Sequence, residues 1–475
     1  MNSSISNIRA KIQKGETSCV ALTKAFLKKI EEHKNLNAFL EVFTDEALEN
    51  AATIDERIAN KKAGKLAGLV IALKDNICYK GHKISASSKI LEGFESLYSA
   101  TVVERLIAED AIIIGRLNCD EFAMGSSNEN SAYGEVLNPI DNSKVPGGSS
   151  GGAAAAVKAG LCHAALGTDT GGSVRQPASH CGVIGLKPTY GRVSRYGAIA
   201  YASSFDQIGP ITNNIPDLAL IMEVISGSDH YDSTCSTKEV PAFTKELQLT
   251  GVKKIGYIKD CLENPGLDKE IKARLELIIK ELKLQGHEVV PVDFPYLDFL
   301  VPAYYVLTTA EASSNLARYD GVHFGYRSEQ SENWESVYFK SRSEGFGKEV
   351  QRRIMLGTYV LSAGYFDAYY AKAQKVRRIF RDKTDEILKT HDFILLPTTP
   401  NTAPDIGENT KDPIAMYLED IFTVQAPLTG LPAISIPIGE HSNGMPFGIQ
   451  LMGSRFSETA LFAFSNEMMQ NFNDN

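Results

Sequence analysis

The spacing of apolar positions predicts helices at the start of the chain. In residues 22–30 and again in 46–58, apolar side chains recur every three to four positions. This period places them on one face of a helix, and that face needs a surface to pack against. We therefore expect residues 1–60 to form N-terminal helices that pack on the rest of the protein.

Continuous apolar runs that follow this region predict buried strands. Residues 66–73 and 111–114 are two such runs, and a helical stretch lies between them at 102–108. A strand that is apolar on both sides is typical of a sheet covered by helices on both faces. The alternation of helix and strand favours a predominantly parallel sheet.

The same alternation resumes after residue 250. Strands are predicted at 254–258, 287–292, 392–396, 433–438 and 447–451. Helices are predicted over 268–285, through most of 303–390 and from about 458 onward. With no internal repeat or low-complexity tract to divide it, we expect the chain to form a single α/β unit over residues 1–475.

Composition narrows the function classes. Of 475 residues 43% are apolar and 23% charged, ordinary values for a globular protein, which excludes disorder, collagen and coiled coil. The net charge of −9 argues against a main role in gripping a phosphate backbone. Seven scattered cysteines form no C-x-x-C pair, the histidines show no metal-ligand spacing, and no apolar run reaches membrane-spanning length. We expect a cytoplasmic protein without a bound metal.

Residues 137–210 stand apart because they are crowded with glycine, serine and proline. A glycine–serine segment at 146–152 precedes an alanine-rich helix at 153–159, and an apolar run at 161–166 leads to a second such segment at 167–175. A helix of eight residues rises about 12 Å, and five strand residues span about 16 Å back. The two segments should therefore meet, with Ser149 or Ser150 near Ser173.

These glycines allow three other interpretations. A Walker phosphate loop requires a lysine that is missing here, and a dinucleotide-binding loop requires a strand where polar residues 141–146 stand. Residues 148–152 match Gly-x-Ser-x-Gly, which would make Ser150 the nucleophile of a hydrolase elbow, but that elbow also follows a strand. A tight structural turn is the last alternative.

A serine nucleophile activated by lysine fits the pattern better. Lys74 ends a buried apolar run, where loss of hydration favours the neutral amine that can act as a base. The alternative role for Lys74 is that of an ordinary surface lysine at a strand end. Backbone N–H groups at Thr170, Gly171 and Gly172 would supply the donors that an oxyanion needs.

These residues and their neighbours resemble the amidase signature family. The resemblance rests on Lys74, on Gly147-Gly-Ser-Ser-Gly-Gly152, on Gly167-Thr-Asp-Thr-Gly-Gly-Ser-Val-Arg175 and on residues 182–194. It implies an α/β amidase signature fold, with a mixed β-sheet core covered by helices on both sides. It also implies a catalytic triad in which Ser173 is the nucleophile, Ser149, on a non-proline cis peptide, relays the proton, and Lys74 is the base.

Four further segments resemble the branch of that family that supplies ammonia for tRNA-dependent amidation. They are residues 120–127, 313–321, 352–358 and 416–423. The resemblance implies glutamine as substrate, with Asp420 binding its ammonium group, Arg353 its carboxylate, and Tyr304 lining the pocket. A structural ion pair and a core aromatic are the alternative roles for these side chains.

The same resemblance implies a complex. Ammonia would pass to a second subunit, which binds ATP, Mg²⁺ and tRNA and converts Glu-tRNA(Gln) to Gln-tRNA(Gln), and a small third subunit would complete the assembly. No cofactor is expected in this chain, and no membrane contact. Two alternatives remain open: a free-standing amidase with the same triad, and a scaffold subunit whose triad is unused.

Overall fold

An eleven-stranded mixed sheet forms the centre of the computed structural model, which describes residues 4–408 and 413–472. The strands are β1 (Phe39–Val42), β2 (Val70–Lys74), β3 (Ile112–Leu117), β4 (Ala164–Asp169), β5 (Ile184–Lys187), β6 (Gln207–Thr212), β7 (Lys254–Ile258), β8 (Glu288–Val292), β9 (Phe393–Pro397), β10 (Ala433–Glu440) and β11 (Pro446–Gly453). Their order in the sheet is β1-β3-β2-β4-β6-β5-β10-β11-β9-β7-β8. The predicted single unit also includes residues 1–3, 409–412 and 473–475, which lie outside the described residues.

Helices connect most of these strands. In chain order they are α1 (Ile5–Gln13), α2 (Cys19–Glu32), α3 (Thr44–Ala59), α4 (Thr101–Ala108), α5 (Gly151–Lys158), α6 (Arg175–Cys181), α7 (Ile215–Ile225), α8 (Lys259–Leu262), α9 (Lys269–Leu284), α10 (Leu297–Asn315), α11 (Trp334–Gly345), α12 (Lys348–Leu361), α13 (Lys372–Leu388), α14 (Pro413–Leu418), α15 (Gln425–Thr429) and α16 (Glu458–Phe472). Within the described part of the chain, no helix combines the length and apolar composition needed to cross a bilayer.

The prediction of a predominantly parallel sheet is wrong for the middle of the sheet, whereas the mixed sheet is confirmed. Strands β3, β2 and β4 are parallel neighbours, as are β9, β7 and β8. Between these groups β4, β6, β5, β10, β11 and β9 pair antiparallel. The physical reason lies partly in the connections. Strands β10 and β11 are joined by a short turn, which makes them antiparallel, because parallel neighbours need a long crossover that carries the chain back to the end of the sheet where the first strand began.

Both faces of the sheet are buried, as the apolar runs predict. Along β2, Ile71 and Leu73 belong to one apolar core, whereas Val70 and Ala72 belong to a second core on the opposite face. The alanines of α5 are fully buried in the second core, together with side chains of α2 and α3. The N-terminal helices therefore pack on the sheet as expected.

Several strand positions differ from the prediction. Residues 66–69 form a turn in which Gly68 has a φ of +95°, so β2 begins only at Val70. The strand predicted at 161–166 begins at Ala164. Strands β1, β5 and β6 were not predicted. Strands β1 and β5 are only four residues long, and β6 contains Pro210, which argues against a strand because proline donates no ladder hydrogen bond.

Candidate active site

Lys74 lies at the end of β2 with its side chain fully buried. Its Nζ donates hydrogen bonds to the hydroxyl oxygens of Ser149 at 2.7 Å, Ser150 at 3.0 Å and Thr168 at 3.0 Å. Burial lowers the pKa of Lys74 below its ordinary value, although nearby acidic groups oppose this shift. These partners are hydroxyls, and no carboxylate in the described part of the chain forms an ion pair that would hold the amine in its charged form.

Ser149 follows a cis peptide bond at Gly148–Ser149, the isomer that the family resemblance implies. Its carbonyl oxygen accepts a 3.2 Å hydrogen bond from the Asp120 N–H, and the Gly148 N–H donates to Gln176 Oε1 at 2.9 Å. A Cβ at position 148 would lie 2.0 Å from Asp120 Oδ2. Glycine is required there because the Asp120 carboxyl occupies the space that a side chain would take.

Ser173 lies on the loop between β4 and α6, beside the Ser149 loop. The Ser150 N–H donates a 3.0 Å hydrogen bond to the Ser173 carbonyl, which brings the two glycine–serine segments together as predicted. Ser173 keeps 8% of its surface exposed, whereas Ser149 has none. Of these two serines, Ser173 is therefore the one that a substrate can reach.

Ser150 does not have the surroundings of an elbow nucleophile. Residues 141–146 form no strand. Its hydroxyl lies between Lys74 and β4, where it donates to the Thr168 carbonyl at 3.2 Å and accepts from the Thr168 N–H at 3.3 Å. The structure thus assigns Ser150 to holding the lysine against the strand.

An ion pair that the sequence interpretation did not single out holds the Ser173 loop. The Arg175 Nη2 and Nε atoms donate to the two Asp169 carboxylate oxygens at 2.9 and 3.0 Å, and both side chains are fully buried. Burial would raise the pKa of Asp169, but the guanidinium holds it below its usual range. Arg175 also donates to the Thr423 carbonyl at 2.9 Å, so the pair connects both ends of the loop to the α14–α15 turn.

The expected oxyanion donors lie on this loop. Among the described residues, the N–H groups of Thr170, Gly171, Gly172 and Ser173 donate to no protein acceptor. Backbone donors left without a partner in a buried loop are suited to binding an oxyanion. A Cβ at position 171 would lie 2.4 Å from Tyr304 Oη, so this tyrosine lies directly against the loop.

Thr170 takes part through its side chain. Its Oγ1 donates a 2.6 Å hydrogen bond to Asp206, and burial raises the pKa of that carboxyl to about 6. Asp206 also accepts hydrogen bonds from the N–H groups of Tyr201 and Ala202 at 2.9 and 3.0 Å. Residues 201–206 therefore form a short segment, called here the support segment, that fixes one end of the candidate oxyanion loop.

Asp420 lies in the turn that covers this loop. Its carboxylate accepts a 3.0 Å hydrogen bond from the Tyr305 hydroxyl. Burial raises the pKa of Asp420 to about 7, against the opposing effects of that hydrogen bond and of Arg353. The Thr423 N–H donates to the Asp420 carbonyl at 3.0 Å, and a Cβ on Gly172 would lie 2.4 Å from Thr423 Oγ1. Asp420 is thus held close to the Ser173 loop.

Arg353 lies on α12, and its side chain is buried among aromatic rings from other parts of the chain. Its guanidinium carbon lies 5.1 Å from the Tyr305 ring centre, and its Nη1 donates to the Tyr201 hydroxyl at 3.1 Å. Its Nε donates to Glu349 at 2.7 Å. This partner was not predicted, although the spacing of four residues on one helix is the signal that could have indicated it. The structure brings Arg353 and Asp420 to the same tyrosine, Tyr305, and places Tyr304 between that tyrosine and the loop.

No cluster of histidine, cysteine, aspartate or glutamate suited to a metal ion occurs in the described ranges. The site instead combines the buried amine of Lys74, the three hydroxyl groups bonded to it, and the Ser173 loop with its unpartnered N–H groups. This arrangement can perform nucleophilic acyl transfer from a serine.

Comparison with known proteins gives a consistent result. The model of the amidase family matches residues 21–462. Two relatives described as the A subunit of glutamyl-tRNA(Gln) amidotransferase, from Chlorobium luteolum and Koribacter versatilis, are 51% and 52% identical over 474 and 458 residues. These alignments cover 98% and 95% of this chain, and 97% and 95% of the relatives.

Two solved structures show the same fold. The A subunit of glutamyl-tRNA(Gln) amidotransferase from Thermotoga maritima is 42% identical, with a TM-score of 0.77 and coverage of 95% of this chain and 92% of the other. A peptide amidase from Stenotrophomonas maltophilia is 30% identical, with a TM-score of 0.83 and coverage of 99% and 97%. This chain therefore shares its fold with both a peptide amidase and an amidotransferase subunit, and its sequence is more similar to the amidotransferase subunit.

Proposed function

This chain belongs to the amidase family, and we propose that it is the glutamine-hydrolysing subunit of a glutamyl-tRNA(Gln) amidotransferase. The observation that carries the chemistry is the 2.7 Å hydrogen bond from Lys74 Nζ to Ser149 Oγ beside the Ser173 loop. The choice of glutamine as substrate is supported by sequence identities of 51% and 52% to amidotransferase A subunits over almost the full length of this chain and of each relative.

In the first half of the reaction Ser173 Oγ attacks the amide carbon of glutamine. Its proton passes to Ser149, whose own proton passes to the neutral amine of Lys74. The carbonyl oxygen becomes an oxyanion, which the N–H groups of the loop at Thr170, Gly171 and Gly172 stabilise. The carbon–nitrogen bond then breaks, and the leaving nitrogen takes a proton back through the same relay and departs as ammonia.

In the second half a water molecule hydrolyses the seryl ester. Lys74 and Ser149 take the proton from the water as it attacks, and a second oxyanion forms in the same loop. Ser173 is the leaving group and recovers its proton from the relay. The products are glutamate and free enzyme, so atoms and charge balance over the cycle.

Glutamine is a zwitterion, and two opposite charges in the site suit it. Asp420, when ionised, would pair with the ammonium group, and Arg353 would pair with the carboxylate. Tyr304 lies against Gly171 and would line the space between the charged end and the amide. The common tyrosine, Tyr305, fixes the relative positions of the two charges.

The ammonia would be consumed on a partner. In this proposal a second subunit binds ATP, Mg²⁺ and tRNA and amidates Glu-tRNA(Gln). A small third subunit makes the complex a cytoplasmic heterotrimer. This chain itself binds no cofactor. The net charge of −9 suits a chain that leaves tRNA binding to its partner. The whole complex acts as a carbon–nitrogen ligase that uses glutamine as amido donor.

The test uses the native complex with Ser173→Ala. Glutamine-dependent formation of Gln-tRNA(Gln) should be abolished, because no seryl ester can form, while added ammonium should still support the reaction. Ser228→Ala, at an exposed serine, is the matched control and should retain both activities.

Three outcomes would contradict the proposal. Loss of both activities in an intact Ser173→Ala complex would mean that this chain does more than supply ammonia, and full retention would support the scaffold alternative. Isolation of the native protein without partners, together with rapid hydrolysis of an unrelated amide, would support a free-standing amidase, whose fold this chain also shares.

A further inference from the structure

A cavity of about 420 Å³ is lined by Ser204 of the support segment and by none of Lys74, Ser149 and Ser173. Three of its arginines, Arg377, Arg378 and Arg381, lie on α13 at positions that share one helix face. A fourth, Arg455, follows β11 and reaches the cavity from a different element. The four guanidinium groups therefore approach the same space from two directions.

Carboxylates neutralise only part of this charge. Asp382 lies 3.3 Å from Arg378 and 3.5 Å from Arg381, and Asp385 lies 2.7 Å from Arg455. No carboxylate of residues 4–408 or 416–472 lies within ion-pair distance of Arg377. The four guanidinium groups thus face two paired carboxylates, and Glu311 also acts on the charge of Arg377 from beyond ion-pair distance.

Arg377 is held in place by groups that carry no charge. Its Nε donates to the Leu428 carbonyl at 2.9 Å, its Nη2 donates to the Ser204 carbonyl at 3.0 Å, and its guanidinium stacks 4.0 Å from the Phe205 ring centre. Glu311 is engaged by the N–H and hydroxyl of Ser204. A fixed, half-buried cation without an ion-pair partner is prepared to bind an anion.

We propose that this cavity binds the phosphate group of a small ligand. Guanidinium groups that arrive from two elements suit the tetrahedral phosphate better than the planar carboxylate, and the remaining excess of positive charge favours an anion. The volume is that of a small-molecule site, with Tyr190 and Leu428 available as a wall for the group that carries the phosphate. The proposal does not depend on glutamine hydrolysis.

Calorimetric titration of the full chain at constant ionic strength tests this proposal. Inorganic pyrophosphate and ADP are the phosphate probes, and citrate is the carboxylate probe. We expect one site per chain for at least one phosphate probe; tighter binding of ADP would mean that the ligand is a nucleotide, and tighter binding of pyrophosphate that it is a free phosphate. Arg381→Gln should weaken binding about tenfold or more, because one charge-assisted contact is lost.

The controls keep the test independent of folding. Arg381 is 43% exposed, so its replacement should leave the thermal midpoint unchanged. Arg377→Gln should weaken binding further, and Arg318→Gln, at an exposed arginine outside the cavity, should bind like the native chain. No heat of binding with either phosphate probe, equal affinity in Arg381→Gln, or equal affinity for citrate would overturn the proposal.

Discussion

The Tyr305 hydroxyl donates a 3.0 Å hydrogen bond to the Asp420 carboxylate. This bond favours the ionised form of a buried acid whose pKa burial has raised to about 7. The charge proposed to bind the glutamine ammonium group is therefore only partly present near neutral pH. One tyrosine hydroxyl helps to set how much of it is present.

The first prediction concerns pH. The ratio of kcat/KM for glutamine to kcat/KM for a small neutral ester should fall as the pH is lowered through about 7, because protonated Asp420 cannot pair with an ammonium group. In the proposed mechanism both substrates use Lys74 and Ser149, so the titration of the relay should cancel in the ratio. Tyr305→Phe should move the inflection to higher pH, since the hydroxyl lowers the pKa of Asp420. Parallel profiles for the two substrates would refute this role of Asp420.

The second prediction separates binding from chemistry. Arg353→Gln and Asp420→Asn should each raise the glutamine KM at least about tenfold and change ester turnover much less, because each removes one charge-assisted contact. Steady-state kinetics with both substrates measure the difference. Arg352→Gln is the matched control, since this neighbour also pairs with Glu349 but is 49% exposed. Equal losses of activity with both substrates would mean that Arg353 and Asp420 support the structure of the site and do not bind glutamine.

The third prediction tests the relay. Lys74→Ala and Ser149→Ala should each lower ester turnover by about 10²–10⁴-fold, the range for loss of general acid–base catalysis. Because the two groups are hydrogen-bonded and act on one proton path, the double variant should be little worse than either single variant. Circular dichroism verifies that each variant is folded. A double variant that shows the product of the two single losses would mean that the two residues act independently.

The fourth prediction concerns stability. Asp169→Asn should lower the free energy of unfolding by about 3–5 kcal/mol, because it leaves the Arg175 guanidinium buried without its countercharge. Urea denaturation followed by fluorescence measures the change. Glu32→Gln, in an exposed helical pair with Lys28, should change it by less than about 0.5 kcal/mol. A small change in the free energy of unfolding for Asp169→Asn would show that water or a rearranged side chain compensates the buried charge of Arg175.

The glycine–serine segments could be predicted to meet because the information is local. A helix and a strand of known rise separate Ser149 from Ser173, so simple geometry predicts their approach, and the Ser150–Ser173 hydrogen bond confirms it. Lys74 was identifiable because it ends an apolar run. For the roles of these residues in catalysis, the sequence gives a prediction that the kinetic experiments above test.

Other parts of the site carry little local signal. Tyr201 and Asp206 are separated from Arg353 and Thr170 by long stretches of chain, and an isolated acid or tyrosine in a loop is unremarkable in sequence. Glu349 lies only four residues before Arg353, a spacing that permits an ion pair once a helix is assigned but does not select this pair among other charged neighbours. The antiparallel centre of the sheet was missed for a related reason. Strand pairing depends on how the connections run in space, and Pro210 obscures β6, the strand that begins the antiparallel centre next to β4.

The support segment has a consequence for how this protein can change over evolution. Tyr201 bonds Arg353, Phe205 lies edge-on to Tyr304, and Asp206 bonds Thr170. A shift in this backbone would therefore disturb substrate selection and bond cleavage in the same step. New amide specificities should then arise first through α10, α12 and the turn at Asp420, which can vary one contact at a time, while residues 201–206 accept little drift.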